Sequence, residues 1–260
     1  MSAENAISFA TIGALVRRAR NELLRVPGAA IPGILAPTIF FLGLTAVFGH
    51  LTLLPGFTTD TYQSFLIPIS LLQGAGFTGA ATGVNLARDI EQGWFDRLLA
   101  APVPRWSLLA GMVSSAAIRS LLPATALLIV GFSLGVQWPG LGGLALALVL
   151  VMGMGVVAAC WGTMLALKFR SQSAAPLMQA GMFILILTTT AYAPIALLTG
   201  WLHTVAELNP VTKVVEAARQ GFVEGNLTWA QTWPGIVAIA GLVALLGALA
   251  LRQIYRMNEE

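Results

Sequence analysis

Twelve consecutive residues, Arg88-Asp89-Ile90-Glu91-Gln92-Gly93-Trp94-Phe95-Asp96-Arg97-Leu98-Leu99, place five charges in a chain that is only 10% charged and 57% apolar. The set contains no nucleophile beside a base and no cluster of metal ligands. Its chemistry is recognition. Asp89, Glu91, Asp96 and Arg97 can pair with opposite charges on another protein, while Phe95, Leu98 and Leu99 can form an apolar edge. Aromatic anchors inside a polar rim are typical of binding hot spots. The plainer alternative, a solvated connector, stays open at this point.

Other motifs that could carry chemistry are weak. Gly74-Ala75-Gly76-Phe77-Thr78-Gly79 spells G-x-G-x-x-G, but it lies inside an apolar run with no strand before it, so a nucleotide site is excluded. Gly79 and Gly83 read better as a small-xxx-small pair that lets two helices approach closely. The only lysines are Lys168 and Lys213, and neither completes G-x-x-x-x-G-K-[ST], the phosphate-binding loop of ATPases. His50 and His203 are isolated, with no Cys, Asp or Glu at ligand spacing, which argues against a metal. Asn226-Leu227-Thr228 matches a glycosylation triplet by chance. The basic residues are scattered, so nucleic-acid binding is not expected. The single cysteine, Cys160, can close no internal disulfide.

The elements that position these residues must be membrane helices. Mean hydropathy is +0.81, and a soluble domain usually carries about 25% charged residues. Uncharged runs cover 26–59, 61–87, 120–167, 171–206 and 225–251. A span needs ~20 apolar residues, and lipid cannot satisfy backbone N–H and C=O groups, so spans must be helices or closed barrels. The runs lack the alternation of barrel strands. Six spans are expected: Ile31–Leu53, one in 61–87, two in 120–167 around the turn Val136-Gln137-Trp138-Pro139-Gly140, one with a partly re-entrant outer piece in 171–206, and one in 225–251. The organisation expected is a tail with an interfacial helix (1–30), a six-helix membrane domain (31–252) holding the charged segment 88–105 and an outer loop 201–228, and a C-terminal tail (253–260). No cleavable signal peptide is expected, because four arginines precede a first apolar run of 24 or more residues.

With six spans, 11 of the 14 basic residues fall on one side, which places both termini in the cytoplasm. Before Pro27, Ile12, Leu15, Val16, Ala19, Leu23 and Val26 recur at helical spacing, as in a helix lying in the cytoplasmic interface. In the outer loop, Asn209 and Pro210 suit a helix cap and first helical position. Val211, Val214, Val215, Ala218 and Phe222 then form one stripe, with Lys213, Glu216, Arg219 and Gln220 elsewhere. This short helix could lid an exit path or simply cap the spans. Arg119 has two placements: inside the membrane if span three starts near Trp106, where it could meet an anionic substrate or lipid, or snorkelling at the boundary if it starts near Leu121. Arg119, Asn209, Pro210 and Arg219 are therefore candidate path or gate residues.

No Asp or Glu lies inside an expected span. Ion-coupled carriers commonly place an ionisable residue there. Its absence favours an external energy source, docked on the charged segment.

The chain at this point resembles the type-2 class of ATP-binding-cassette (ABC) transporter permeases, and within it the daunorubicin-resistance-like drug exporters. Residues 88–105 are similar to R-D-x-E-x-G-x-x-[DE]-R-L-L-x-x-P-x-x-R, and Leu208-Asn209-Pro210-Val211-Thr212 leading to Ala217-Ala218-Arg219 is similar to L-N-P-x-T…A-x-R. Ala101 departs from a frequent Ser or Thr. The resemblance implies a multi-pass plasma (inner) membrane permease with no enzyme activity or cofactor of its own. It implies a cytoplasmic ABC ATPase partner carrying ATP and Mg, and a second permease, either a copy or a sister subunit. Segment 88–105 becomes the ATPase-coupling helix, with Asp89, Glu91, Gly93, Phe95, Asp96, Arg97, Leu98, Pro102 and Arg105 at the interface. The expected function is ATP-driven export of a hydrophobic or amphiphilic drug, antibiotic or lipid. Export of a polysaccharide or lipid-linked glycan, and a non-transporting assembly role, are the alternatives. A glycan path would be expected to show more aromatic residues than the 8% present.

Overall fold

The computed structural model describes residues 10–18, 21, 31–53, 59 and 61–256, and they form an all-helical, polytopic membrane protein. The described helices are α1 (10–18), α2 (Ile31–Phe48, extended by a 3-10 turn to Leu53), α3 (Tyr62–Glu91), α4 (Trp94–Leu99), α5 (Arg105–Arg119), α6 (Leu121–Ser133), α7 (Gly140–Phe169), α8 (Ala175–Leu187), α9 (Trp201–Leu208), α10 (Pro210–Val223) and α11 (Trp229–Arg256).

Five helical stretches are long and apolar enough to cross a membrane: Gly33–Leu53, Tyr62–Glu91, Arg105–Ser133, Gly140–Phe169 and Trp229–Arg256. Two details depart from the sequence expectation. The third stretch begins at Arg105, well before the uncharged run at 120. It joins α5 to α6 at Ser120, where Pro123 removes the N–H that would have bonded the Arg119 carbonyl. The expected fifth span is a shorter apolar helix, Gln172–Leu187, of about 24 Å against a core of roughly 30 Å. An irregular segment follows it from Thr188 to Gly200 before α9 starts.

α3 is the axis of the molecule. α7 packs along it, and α2, α5, α6, α8 and α10 surround it; α11 and α5 cover the other side of α7. The α3–α7 seam is built from small residues. A Cβ at Gly83 would overlap the Gly162 backbone, and one at Gly79 would run into the Gly155 carbonyl and lie 2.6 Å from the Ala158 Cβ. Close backbone approach of this kind drives association where lipid removes the hydrophobic gain. α2 and α11 leave most of their apolar surface outward, with Ile39, Val47, Leu53, Trp229 and Val237 exposed.

α1 packs on α5, where Leu15 faces Gly111. Ile12, Leu15 and Val16 are half-buried while Gly13, Ala14 and Arg17 are exposed. The remaining positions of that expected stripe, Ala19, Leu23 and Val26, lie outside the described residues.

Candidate functional site

The charged segment forms a helical hairpin end held by three ties. α3 is 30 residues long, about 45 Å, so its last turn projects beyond a hydrocarbon core of roughly 30 Å. Gly93 then turns the chain with a φ of 66°, a left-handed conformation that favours glycine, and α4 starts at Trp94. The first tie is Arg18 on α1, which donates to Asp89 at 2.9 Å and lies 4.0 Å over the Trp94 ring. The second is Phe95, only 1% exposed, which packs inward against the cleft shared by Leu15, Leu86, Leu108 and Met112. The third is Glu91. It accepts from Ser171 Oγ (2.8 Å), Gln172 N (2.8 Å) and Gln172 Nε2 (2.6 Å), in the turn between α7 and α8. Hydrogen bonds from Gln172 and then Ser171 hold its carboxyl below the ordinary value, so Glu91 stays ionised.

The structure therefore redistributes the expected interface. Phe95 is not on the exposed edge, because its ring fills the space beneath α4. Leu98 and Leu99 are half-buried. The outward face carries Trp94, Asp96, Arg97 and Pro102. Arg105 opens α5 and is half-exposed, as is Asp89. Arg18, Ser171 and Gln172 were missed by sequence reading. Arg18 stands 71 residues from Asp89 and Gln172 stands 81 from Glu91, and no local spacing signals either pairing.

At the other end of α3 lies a second polar cluster. Asn209 accepts from Val211 N at 2.9 Å and so caps α10, with Pro210 in the first helical position as expected. Its amide also donates to Leu185 O (2.7 Å) and to Thr188 Oγ1 (3.1 Å), tying α10 to the end of α8. Val211, Val214, Val215, Ala218 and Phe222 are buried as one stripe. Arg219 and Gln220, expected off that stripe, are buried too. Arg219 donates to Phe65 O (3.2 Å), Thr190 O (2.8 Å) and Ala191 O (3.3 Å), and its guanidinium lies 3.6 Å over the Phe65 ring. Local spacing hid this because the carbonyls are on distant segments.

Arg119 ends α5 and donates to Thr82 Oγ1 at 2.7 Å. Thr82 is nine residues before Glu91 on α3, so Arg119 sits about 14 Å in from the charged end. The helical stretch Arg105–Ser133 runs through Arg119, so the residue lies within that stretch and not at its start. The side chain is half-exposed in a cleft of about 60 Å³ with Leu15, Asn85 and Ser115.

An apolar helix bundle with a tied, charged hairpin at one end thus agrees with a comparison of sequences. Residues 10–223 match the family model described as ABC-2 type transporter. The chain belongs to this family. Among curated relatives, it is 24% identical to the daunorubicin resistance ABC transporter permease protein DrrB1 of Streptomyces coeruleorubidus, over 92% of this chain and 83% of that protein. It is 26% identical to the transport permease ycf38 of Cyanophora paradoxa, over 83% and 74%. A protein named as a probable doxorubicin resistance ABC transporter permease, DrrC of Mycobacterium tuberculosis, is 27% identical over 82% and 75%. As an ABC-2 permease, the chain is a multi-pass membrane subunit that works with an ABC ATPase.

Proposed function

We propose that this permease exports a hydrophobic or amphiphilic compound, in the drug, antibiotic or lipid class, driven by ATP hydrolysed on a separate cytoplasmic subunit. The observation that carries the reading is the hairpin end. Trp94, Asp96, Arg97 and Pro102 face outward on a short helix whose back is anchored by Phe95, Arg18 and Glu91. A displaced connector would need no such anchoring. A helix that must pass on a push needs it, since force applied at α4 reaches α1 through Arg18 and the start of α8 through Gln172.

The names of the relatives support drug export, and the lack of an acidic residue in the five candidate spans' interiors supports an external energy source. No phosphate-binding loop occurs in the sequence, so the permease contributes no ATP site of its own. The basic-residue bias supports cytoplasmic termini in a plasma (inner) membrane. The outward apolar surfaces of α2 and α11 leave room for lipid and for a second permease, either a copy or a sister subunit.

The test uses the permease co-expressed with its ATPase and reconstituted in vesicles. Arg97→Glu and Trp94→Ala should each cut co-purification of the ATPase and ATP-driven drug movement, with membrane insertion unchanged. Full binding and full export by both variants would overturn the coupling reading.

A further inference from the structure

We infer that the hairpin-side end of the α7–α11 pair is a binding site for an anionic phospholipid, its head group held by Lys168, Arg252 and Arg256. The inference goes beyond export and rests only on the chain's being a multi-pass membrane protein.

α11 keeps one face open over its whole length. Trp229, Trp233, Val237, Leu245 and Leu249 recur at helical spacing and are all exposed. Arg252 and Arg256, also exposed, continue the same row. From Trp233 to Arg252 is 19 residues, about 28 Å, against a hydrocarbon core of roughly 30 Å. The row therefore has the dimensions of a bilayer, with tryptophans at one boundary, apolar side chains between, and arginines at the other. Tyr255, half-exposed beside the arginines, is the kind of aromatic that sits at head-group level. A second copy of the permease fits this face poorly. A two-fold contact along it would set Arg252 and Arg256 against the same arginines of the partner copy.

α7 supplies the third cation. It runs parallel to α11: a Cβ at Gly153 would meet Ile239, and one at Gly247 would lie 3.7 Å from Cys160 Sγ. The register thus holds at an offset of 86 to 87 residues, which brings Lys168 level with Ile254 and Tyr255. Lys168 is exposed, and its ammonium lies 5.6 Å from the Phe169 ring. Among the described residues, no carboxylate stands at ion-pair distance from Lys168, Arg252 or Arg256. The carboxylates at the end of α3 are already engaged, Asp89 by Arg18 and Glu91 by Ser171 and Gln172. Three cations without a counter-charge, at the depth of the lipid phosphates, select an anionic head group. Leu245 and Leu249 above them face the acyl chains. A zwitterionic head group carries its own ammonium and gains far less.

The probes are dioleoyl phosphatidylglycerol and dioleoyl phosphatidylcholine, which share acyl chains and differ in head-group charge. The detergent-purified permease–ATPase complex is equilibrated with equal amounts of both and repurified, and the bound lipid is extracted and quantified. Each basic side chain near an anionic lipid is worth roughly fivefold in affinity. The parent should therefore retain phosphatidylglycerol at least about tenfold over phosphatidylcholine, with a smaller ratio at high salt. The triple variant Lys168→Gln, Arg252→Gln, Arg256→Gln should bring the ratio to within about twofold. The pair Arg252→Lys, Arg256→Lys keeps the charge and should keep most of the preference. Arg17→Gln removes an exposed cation of α1 at the same end and should match the parent. No preference in the parent, an undiminished preference in the triple variant, or an equal loss in Arg17→Gln would each overturn the site. Leu245→Cys should give no disulfide-linked dimer when membranes are oxidised. Such a dimer would show a second permease covering this face and would overturn the lipid site as well.

Discussion

Arg18 and Asp89 close a 2.9 Å ion pair across 71 residues of chain, and the same guanidinium covers the Trp94 ring at 4.0 Å. One side chain from α1 thus fixes both the end of α3 and the start of α4. The two carboxylates of this turn face different ways: Asp89 toward α1, and Glu91 toward Ser171 and Gln172. The hairpin end is braced on both flanks, while its tip stays open.

The brace should be measurable as a coupling energy. Exposed ion pairs contribute about 0.2–1 kcal/mol, and a cation over an aromatic ring at such a site adds roughly 0.5–1 kcal/mol. A double-mutant cycle on Arg18→Ala and Asp89→Ala, read by thermal unfolding of the complex, should give a coupling of about 1 kcal/mol or less. The reversed pair Arg18→Asp, Asp89→Arg should recover ATP-linked export that Arg18→Asp alone reduces. No recovery would show that the pair is incidental to coupling.

Phe95 and Trp94 are neighbours with opposite roles. Phe95→Ala opens a hole beneath α4 and should lower stability by about 3 kcal/mol, seen as a lower Tm and faster protease cutting within 94–104. Trp94→Ala should lower stability far less, by the roughly 0.5–1 kcal/mol of its contact with Arg18, and weaken ATPase co-purification. An unchanged Tm for Phe95→Ala would contradict its inward placement.

At the α3–α7 seam there is no space to give. Gly83→Val should prevent formation of a monodisperse folded permease, because the new side chain meets Gly162 backbone rather than a movable side-chain end. Gly43, with nothing within 4 Å of a new Cβ, is the control position. Gly43→Val should behave as the parent in size-exclusion chromatography. Equal behaviour of the two variants would dismiss the seam.

Arg219 should resist conservative exchange. Lysine offers no planar fork to reach Phe65 O and Thr190 O together or to stack on the Phe65 ring. Arg219→Lys should therefore lower stability almost as much as Arg219→Leu, by an amount on the order of 2–4 kcal/mol, read as a lower Tm. Full stability of the lysine variant would reduce Arg219 to a generic charge.

Orientation is open to labelling. In intact cells, a cysteine at Glu224 should react with an impermeant maleimide and one at Glu91 should not. Cys160, 1% exposed within α7, should stay silent as background. The reverse pattern would turn the permease over.

Much of this was legible from composition and spacing because the bilayer imposes simple rules. Long uncharged runs had to be helices, and α2, α7 and α11 arose where the runs lay. The Asn209-Pro210 cap was readable because its hydrogen bond is local. Gly79 and Gly83 could be assigned to packing from their four-residue spacing alone. Charge density marked 88–99 as an element outside the apolar runs, and the structure places α4 there with Trp94, Asp96 and Arg97 exposed.

Tertiary structure decided the rest, since it depended on groups that meet only after folding. Sequence could not choose which aromatic of Trp94-Phe95 turns inward. The choice follows from the space between α3 and α5 and from Arg18 arriving over Trp94. Nor could it bury Arg219, a charge acceptable in an apolar stripe only because carbonyls from α3 and the segment after α8 converge on it. Arg119 was ambiguous for the same reason. Helix α5 contains enough polar residues to hide its continuity with α6, and only packing against Thr82 fixed its depth. Hydrophobicity and local spacing therefore determined the helices and the charged turn between them, whereas long-range hydrogen bonds between residues 24 to 154 apart determined which side chains are buried and which stay exposed.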